Sequence, residues 1–428
     1  MSEIKEKSKI SRSKSYFYYM MFILILVTVV DTYVTNFPNV IRSVIIHEFL
    51  FEYPENMATS IISFSVAIAT LGMYFSFLNQ YLADRVGRKI LLVVVVFGFG
   101  LSSLLLAFST NIIEYTIYLF MLYVFFSSDI WLIYINEECP ADKRAFYTNI
   151  ILVFSIAGAL VIPLFRSMFI TETLSNWRGM TYFAIILAFP LSLVILFSIK
   201  ETSMYEEIKE GKIIQENMFK LLKENLKKVR NKSFYVILIL SFILGLNHVF
   251  TTLGEIFISN SPNLNVNDVN IIVLVMSFSS VVGYFITGVL GDKYGRKPLI
   301  YVYTIMIPIS ILILVFGINS HENALFFVAL GAALTNFAYW GLTITSRIVT
   351  LELIPTEARG TGVGIKSLIT AFGMTMGLIL SGIITQLVVE YSGLAVSFVI
   401  FSLVLLVTLP LSYFHLKETK NVDLREIK

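Results

Sequence analysis

Apolar stretches of roughly 19 to 30 residues, each long enough to cross the ~30 Å hydrocarbon core as a helix, recur along the chain. They begin near residues 16, 58, 90, 112, 145, 180, 234, 269, 299, 324, 360 and 394, which predicts twelve spanning helices. The first, Tyr16 to Val40, is too long for a cleavable signal and is read as a span. Polar connections are short except for residues 200–233, which carry nine Lys and Arg between helices six and seven. In that loop Met218, Leu221, Leu222 and Leu226 share one stripe, as expected of an amphipathic helix on a membrane surface. The pattern therefore divides the chain into an N-terminal arm (1–15), a six-helix bundle (16–199), the central loop (200–233), a second six-helix bundle (234–414) and a tail (415–428). The expected fold is an all-α membrane protein built of two pseudo-symmetric six-helix bundles.

The polar turns support a doubled architecture. "LADRVGRKILL" at residues 82–92 returns as "LGDKYGRKPLI" at 290–300, with six of eleven positions identical. "EECPADKR", with Glu137, Pro140 and Arg144, is matched by "ELIPTEAR", with Glu352, Pro355 and Arg359. "IKET" at 199 and "LKET" at 416 close the two halves. Three collinear pairs in equivalent loops point to an internal repeat. The residues form a candidate latch: Asp84, Arg85, Gly87, Arg88, Glu137 and Arg144 in one half, and Asp292, Gly295, Arg296, Glu352 and Arg359 in the other. Gly87 and Gly295 permit tight turns, and guanidinium groups can fork onto carboxylates at neighbouring helix ends. Arg88 and Arg296 are expected to pair with Glu137 and Glu352 or their neighbours when this face is shut, with Asp84 near a helix N-terminus. Simple anchoring of the loops in water would explain the basic residues, though not the acids at fixed spacing.

Composition narrows the class. The chain is 57% hydrophobic and 14% charged, outside the range of a soluble domain. A net charge of +3, with the basic residues confined to loops, gives no footprint for nucleic acid. The lone Cys139 excludes a disulfide framework and argues against a thiol–metal site. No phosphate-cradling loop or nucleophile–base arrangement points to an enzyme or a cofactor. Of the 32 Lys and Arg, 27 fall on the arm, the tail, the central loop and the even-to-odd turns of one face. By the positive-inside rule both termini are expected in the cytoplasm, with the protein a multi-pass component of the plasma membrane.

These motifs resemble the major facilitator superfamily, whose helix 2–3 signature is G-x-x-x-D-R-x-G-R-K. "IYINEECPADKR", "PTEARGTGVG", "LKETKNVDLREI", the "GLN" at 245–247 and the "VVDTYVT" of helix one are similar to its sugar-porter and related organic-solute branch. The resemblance covers almost the whole chain and implies two bundles rocking about a midplane site. There are departures. Asn79 or Gln80 stands where the leading glycine is usual, Ile117 where sugar porters carry an Arg partner for the helix-one Asp, Ser241 and Phe242 in place of two Gln, and Arg347 in place of a Trp.

Charged groups inside spans carry the candidate chemistry. Asp31 lies well inside helix one, where an aspartate costs roughly 2.5 to 3.5 kcal/mol on insertion scales, and is a candidate proton carrier. A structural Asp bonded to neighbouring Thr or Asn is the alternative. Asp129 is a second candidate proton site or a partner for a basic residue. Glu114 and Glu255 are expected to meet water near helix ends. Arg347 offers a planar fork suited to a carboxylate or phosphate, or else snorkels to the nearby boundary, and Lys366 poses the same choice. Asn36, Asn247, His248, Asn336, Tyr339 and Trp340 complete the candidate cavity, each taken alone reading as helix–helix glue before a ligand contact. Gly373 and Gly377 form a G-x-x-x-G pair that admits a close helix. The expected function is secondary transport: proton-coupled uptake of a small polar organic solute, a sugar or an organic acid, by alternating access. The expected partners are the solute, protons and the lipid bilayer, with the protein monomeric. A proton-driven exporter, a passive facilitator and a non-transporting nutrient sensor are the rivals.

Overall fold

A computed structural model describes residues 12–75, 79, 82, 85–125, 130–139, 144–203, 205–206, 229, 231–354, 358–388 and 392–420. Within them lie twelve helices long and apolar enough to cross a membrane. In the first half these are α1 (Lys14–Val40), α2 (Glu55–Phe75), α3 (Arg88–Ala107), α4 (Ile112–Ile135), α5 (Ile150–Phe169) and α6 (Trp177–Ser198). In the second they are α7 (Lys232–Ser259), α8 (Val266–Tyr294), α9 (Arg296–Ile318), α10 (Ala324–Leu353), α11 (Thr361–Leu387) and α12 (Gly393–His415). Each begins within a few residues of its expected position. An even number of spans puts both termini on one face, here the terminal face; the opposite one is the distal face. The surface helix expected around Met218 lies outside the described residues.

Local chemistry fixes several starts. Ser13 and Asn231 cap the helices of α1 and α7 by accepting from the N–H of Tyr16 and Phe234. Asn265 and Asp268 form a reciprocal capping box at α8. Large apolar side chains such as Phe197, Phe285 and Phe414 are left exposed, an arrangement that is stable only where the surrounding solvent is hydrocarbon.

The doubling seen in the turns extends to the packing. In the first half α1 packs on α5, α2 on α4 and α3 on α6; in the second α7 packs on α11, α8 on α10 and α9 on α12. The halves meet where α2 packs on α11 and α5 on α8, one contact repeated by the pseudo-two-fold relation. Two six-helix bundles therefore face each other across one seam. Inside each bundle, missing side chains let backbones touch. A Cβ on Gly158 of α5 would strike the Val29 carbonyl of α1, and one on Gly373 of α11 would strike the Phe242 carbonyl of α7. Gly377 lies against Leu246 in the same way. The G-x-x-x-G pair thus closes α11 on α7 and does no chemistry.

Replacing Gly373 with Val should force α7 and α11 apart at a cost of about 1 to 3 kcal/mol, the usual range for overpacking. A lowered midpoint in thermal unfolding of the detergent-solubilised protein checks this, and an unchanged midpoint would contradict the packing.

Candidate functional site

On the terminal face the repeated turns build two equivalent clusters. Gly87 and Gly295 adopt φ of 111° and 98°, a region that side chains disfavour, and so start α3 and α9 directly from the turn. Arg88 then reaches Glu137 at 3.1 Å, and Arg296 reaches Glu352 at 2.9 Å and Asp292 at 3.0 Å. Among the described residues these pairs tie elements of a single half together and do not bridge the halves. The acids at the helix starts come from the third repeat. Glu201 accepts from the Lys89 N–H at 3.1 Å, and Glu418 accepts from the Arg296 and Lys297 N–H groups at 2.9 and 3.0 Å. Each carboxylate thus satisfies orphan donors at the positive end of a helix. The motif was visible in the sequence, but its target was not. Arg85 lends its carbonyl to the Tyr205 hydroxyl at 2.9 Å. Asp84 lies outside the described residues, as do the side chains of Arg144 and Arg359.

At the distal face the halves are joined by a buried ion pair. Arg166, near the end of α5, lies 2.8 Å from Glu255 of α7, and both side chains are 2% exposed. Arg166 also donates to the Val40 carbonyl at 2.8 Å and to the Asn270 side chain of α8. Glu255 accepts from the Ser43 N–H at 2.9 Å, the Ser43 hydroxyl at 2.5 Å and Ser259 at 3.1 Å. Asn270 returns a bond to the Ile170 carbonyl at 2.9 Å. Glu255 therefore does not meet water as expected: its helix end is covered by α5 and by the α1–α2 connection, and the Arg166 guanidinium replaces solvent. Nearby, Asn260 donates to Glu55 at 2.6 Å and Asn267 to Glu172 at 3.2 Å, again across the halves. Deeper in the seam Ser60 donates to the Gly382 carbonyl at 2.7 Å, and Thr70 meets Thr375 at 2.9 Å. The signal missed in the sequence was Arg42, Arg166 and Arg178, basic residues on the face that such residues normally avoid. Arg42 is fully buried and donates to Asn39 at 2.7 Å; Arg178 pairs with Glu48 at 2.8 Å.

The interior candidates separate into two groups. Asn247 donates to the carbonyls of Ile243 and Phe401, both at 2.9 Å, and so joins α7 to α12. Asn336 donates to the Ala332 carbonyl at 3.1 Å and accepts from Ser280 of α8, while Asn36 donates to the Thr32 carbonyl at 2.8 Å. The two buried amides, Asn247 and Asn336, are spent within the second half as glue. In contrast, His248 shares a bond of 3.0 Å with the Tyr339 hydroxyl, Tyr339 lies 5.5 Å from Trp340, and Trp340 lies 5.6 Å from Tyr284. His248, Tyr284 and Trp340 are only partly covered, as are Arg347 of α10 and Lys366 of α11. This is a connected wall on α7, α8, α10 and α11. Asp31 is half-buried in α1, with its Oδ1 shut off from solvent and its carbonyl accepting from Thr35 at 2.8 Å. Beside it Thr32 meets Ser155 of α5 at 2.6 Å. Asp129 lies outside the described residues.

Two facing six-helix bundles, joined at one end and lined by polar groups within the spans, make a multi-pass membrane protein with the architecture of a transporter. The chain belongs to the Major Facilitator Superfamily, which it matches over residues 15–256 and again over 235–428. It is 24% identical over 356 residues to a niacin/nicotinamide transporter candidate of Bacillus subtilis, covering 82% of this chain and 84% of that one. A homolog of a multi-drug resistance efflux pump from Lactococcus lactis is 27% identical over 229 residues, 52% of this chain and 54% of its own. Among solved structures, a D-xylose–proton symporter superposes with a TM-score of 0.76 at 16% identity, covering 95% of this chain and 99% of that one. The inward-open xylose transporter of E. coli superposes with a TM-score of 0.74 at 18% identity, covering 96% and 98%.

Removing one partner of a buried ion pair costs about 3 to 5 kcal/mol, so Glu255→Ala should depopulate the distally closed state. In a Cys139→Ala, Ser60→Cys protein, thiol labelling at the now-opened seam should accelerate; unchanged labelling would separate the pair from closure. A second expectation concerns Glu418. Burial alone raises its carboxyl, but the N–H groups of Arg296, Lys297, Lys420 and Thr419 bring it below its usual range. Its contribution to holding the tail on α9 is therefore complete above the ordinary carboxylate range and lost as pH falls through the lowered value. Hydrogen exchange at Arg296 and Lys297, corrected for intrinsic rate, should show protection at pH 7 and loss of it in acid.

Proposed function

We propose that the chain is a proton-coupled secondary transporter that takes up a small polar organic solute by alternating access. The observation that carries this reading is the fully satisfied Arg166–Glu255 pair between halves at the distal face, against terminal-face pairs that, among the described residues, each lie within one half. Such a molecule is closed at one end by contacts that can be exchanged, while each bundle moves as a unit. The excess of basic residues on the terminal face supports termini in the cytoplasm of a plasma-membrane protein, so the distal closure corresponds to a state open to the inside. The sugar-porter-like motifs and the superposition on a D-xylose–proton symporter support the organic-solute branch and the use of protons.

Asp31 is the proton carrier in this reading. A carboxyl group with one oxygen enclosed in a span, beside hydroxyl groups of α1 and α5, can exist neutral as well as charged. In this reading, protonation from outside and release to the inside accompany rocking. With the purified protein in proteoliposomes, Asp31→Asn should abolish accumulation driven by an imposed pH gradient and preserve solute exchange at equal concentrations. Undiminished accumulation would remove Asp31 from the coupling.

A further inference from the structure

We propose that the solute is a flat organic carboxylate, its charged group held by Arg347 and Lys366 and its ring laid against the wall of Tyr284, Trp340 and Tyr339. The inference rests on the transport reading and names the substrate class of that same site. Arg347 is six residues from the end of α10 at Leu353, and Lys366 is seven residues from the start of its helix at Arg359. Both therefore sit roughly 10 Å inside the terminal ends of adjacent helices, at one level of the bundle. The two helices pack on each other, so two like charges lie at one level on neighbouring helices. Among the described residues neither makes an ion pair, whereas Arg88, Arg166, Arg178 and Arg296 all do.

Two half-buried cations without a carboxylate repel each other and are incompletely solvated, a costly arrangement within a membrane span. An anion placed between them removes both penalties. A planar carboxylate matches the fork of Arg347 in two parallel hydrogen bonds, and Lys366 adds a point charge. Deeper by one to two helical turns, Tyr284 and Trp340 lie 5.6 Å apart at an interplanar angle of 38°, and Trp340 meets Tyr339 at 5.5 Å. His248, bonded to Tyr339, extends the wall across to α7. Such a surface suits a ring's face better than a polyhydroxylated solute, which needs many neutral donors and acceptors. The two buried amides nearby, Asn247 and Asn336, already donate to backbone carbonyls.

The test uses the full-length protein in detergent and two matched pairs of probes, nicotinate with nicotinamide and benzoate with benzamide. Each pair keeps the ring and exchanges charge for an uncharged amide. Calorimetric titration should give an acid bound at least about tenfold more tightly than its amide, the discrimination expected of a charge-assisted bidentate contact. Arg347→Gln and Lys366→Met should each erase most of that preference while leaving amide binding in place. The proposal is overturned if neither acid binds, if amides bind as well as acids, or if both variants fold and retain the preference. Should either variant fail to fold, the comparison of acid with amide in the unaltered protein still decides. Binding without a gradient is independent of coupling, so retained accumulation in Asp31→Asn leaves this result standing. Equally, a failure to bind either acid leaves the Asp31 outcome standing.

Discussion

The architecture turns on the contact between Arg166 and Glu255. Two opposite charges shut away from water are held only if every remaining donor and acceptor finds a partner. Here Val40, Asn270, Ser43 and Ser259 supply those partners, drawn from α1, the α1–α2 connection, α7 and α8. The pair thus gathers both halves at one point, and its strength depends on exclusion of water at that face. Once water enters, the same charges are solvated separately and attraction falls roughly fourfold. A contact of this kind is strong when closed and inexpensive to part when wet, which suits a closure that forms and breaks repeatedly.

Elsewhere each half is internally fixed. Gly158, Gly373 and Gly377 bring backbones into contact along the α1–α5 and α7–α11 seams, and the Arg88–Glu137 and Arg296–Glu352 pairs brace the terminal face. These contacts resist bending within a bundle. Under the alternating-access reading, relative motion would fall along α2–α11 and α5–α8, where hydroxyl-to-hydroxyl and hydroxyl-to-carbonyl bonds such as Thr70–Thr375 and Ser60–Gly382 can be replaced by water.

The helices were legible because hydrocarbon imposes a length on every span and admits few charges, so each apolar run had one reading. The doubling was legible in its turns, since Gly87 and Gly295 answer the same backbone demand. What escaped was long-range partnership. Glu255 read as a helix-end acid because its neutralising Arg166 is 89 residues away, and nothing local announces such a match. Glu201 and Glu418 stood out as a repeat, yet their target, a helix start more than 100 residues earlier, exists only after folding. Asn247 and Asn336 stood as cavity candidates whose first reading was helix–helix glue, and their bonds to backbone carbonyls agree with that reading.

The placement of Glu201 and Glu418 also sets an order of assembly. The N–H groups that open α3 have no carboxylate partner until residue 201 has been synthesised, just after α6; those that open α9 wait for residue 418, just after α12. The ribosome delivers each seal as the closing residue of its own bundle. The first bundle can thus be sealed while the second is still being translated, and the two need meet only as finished pieces.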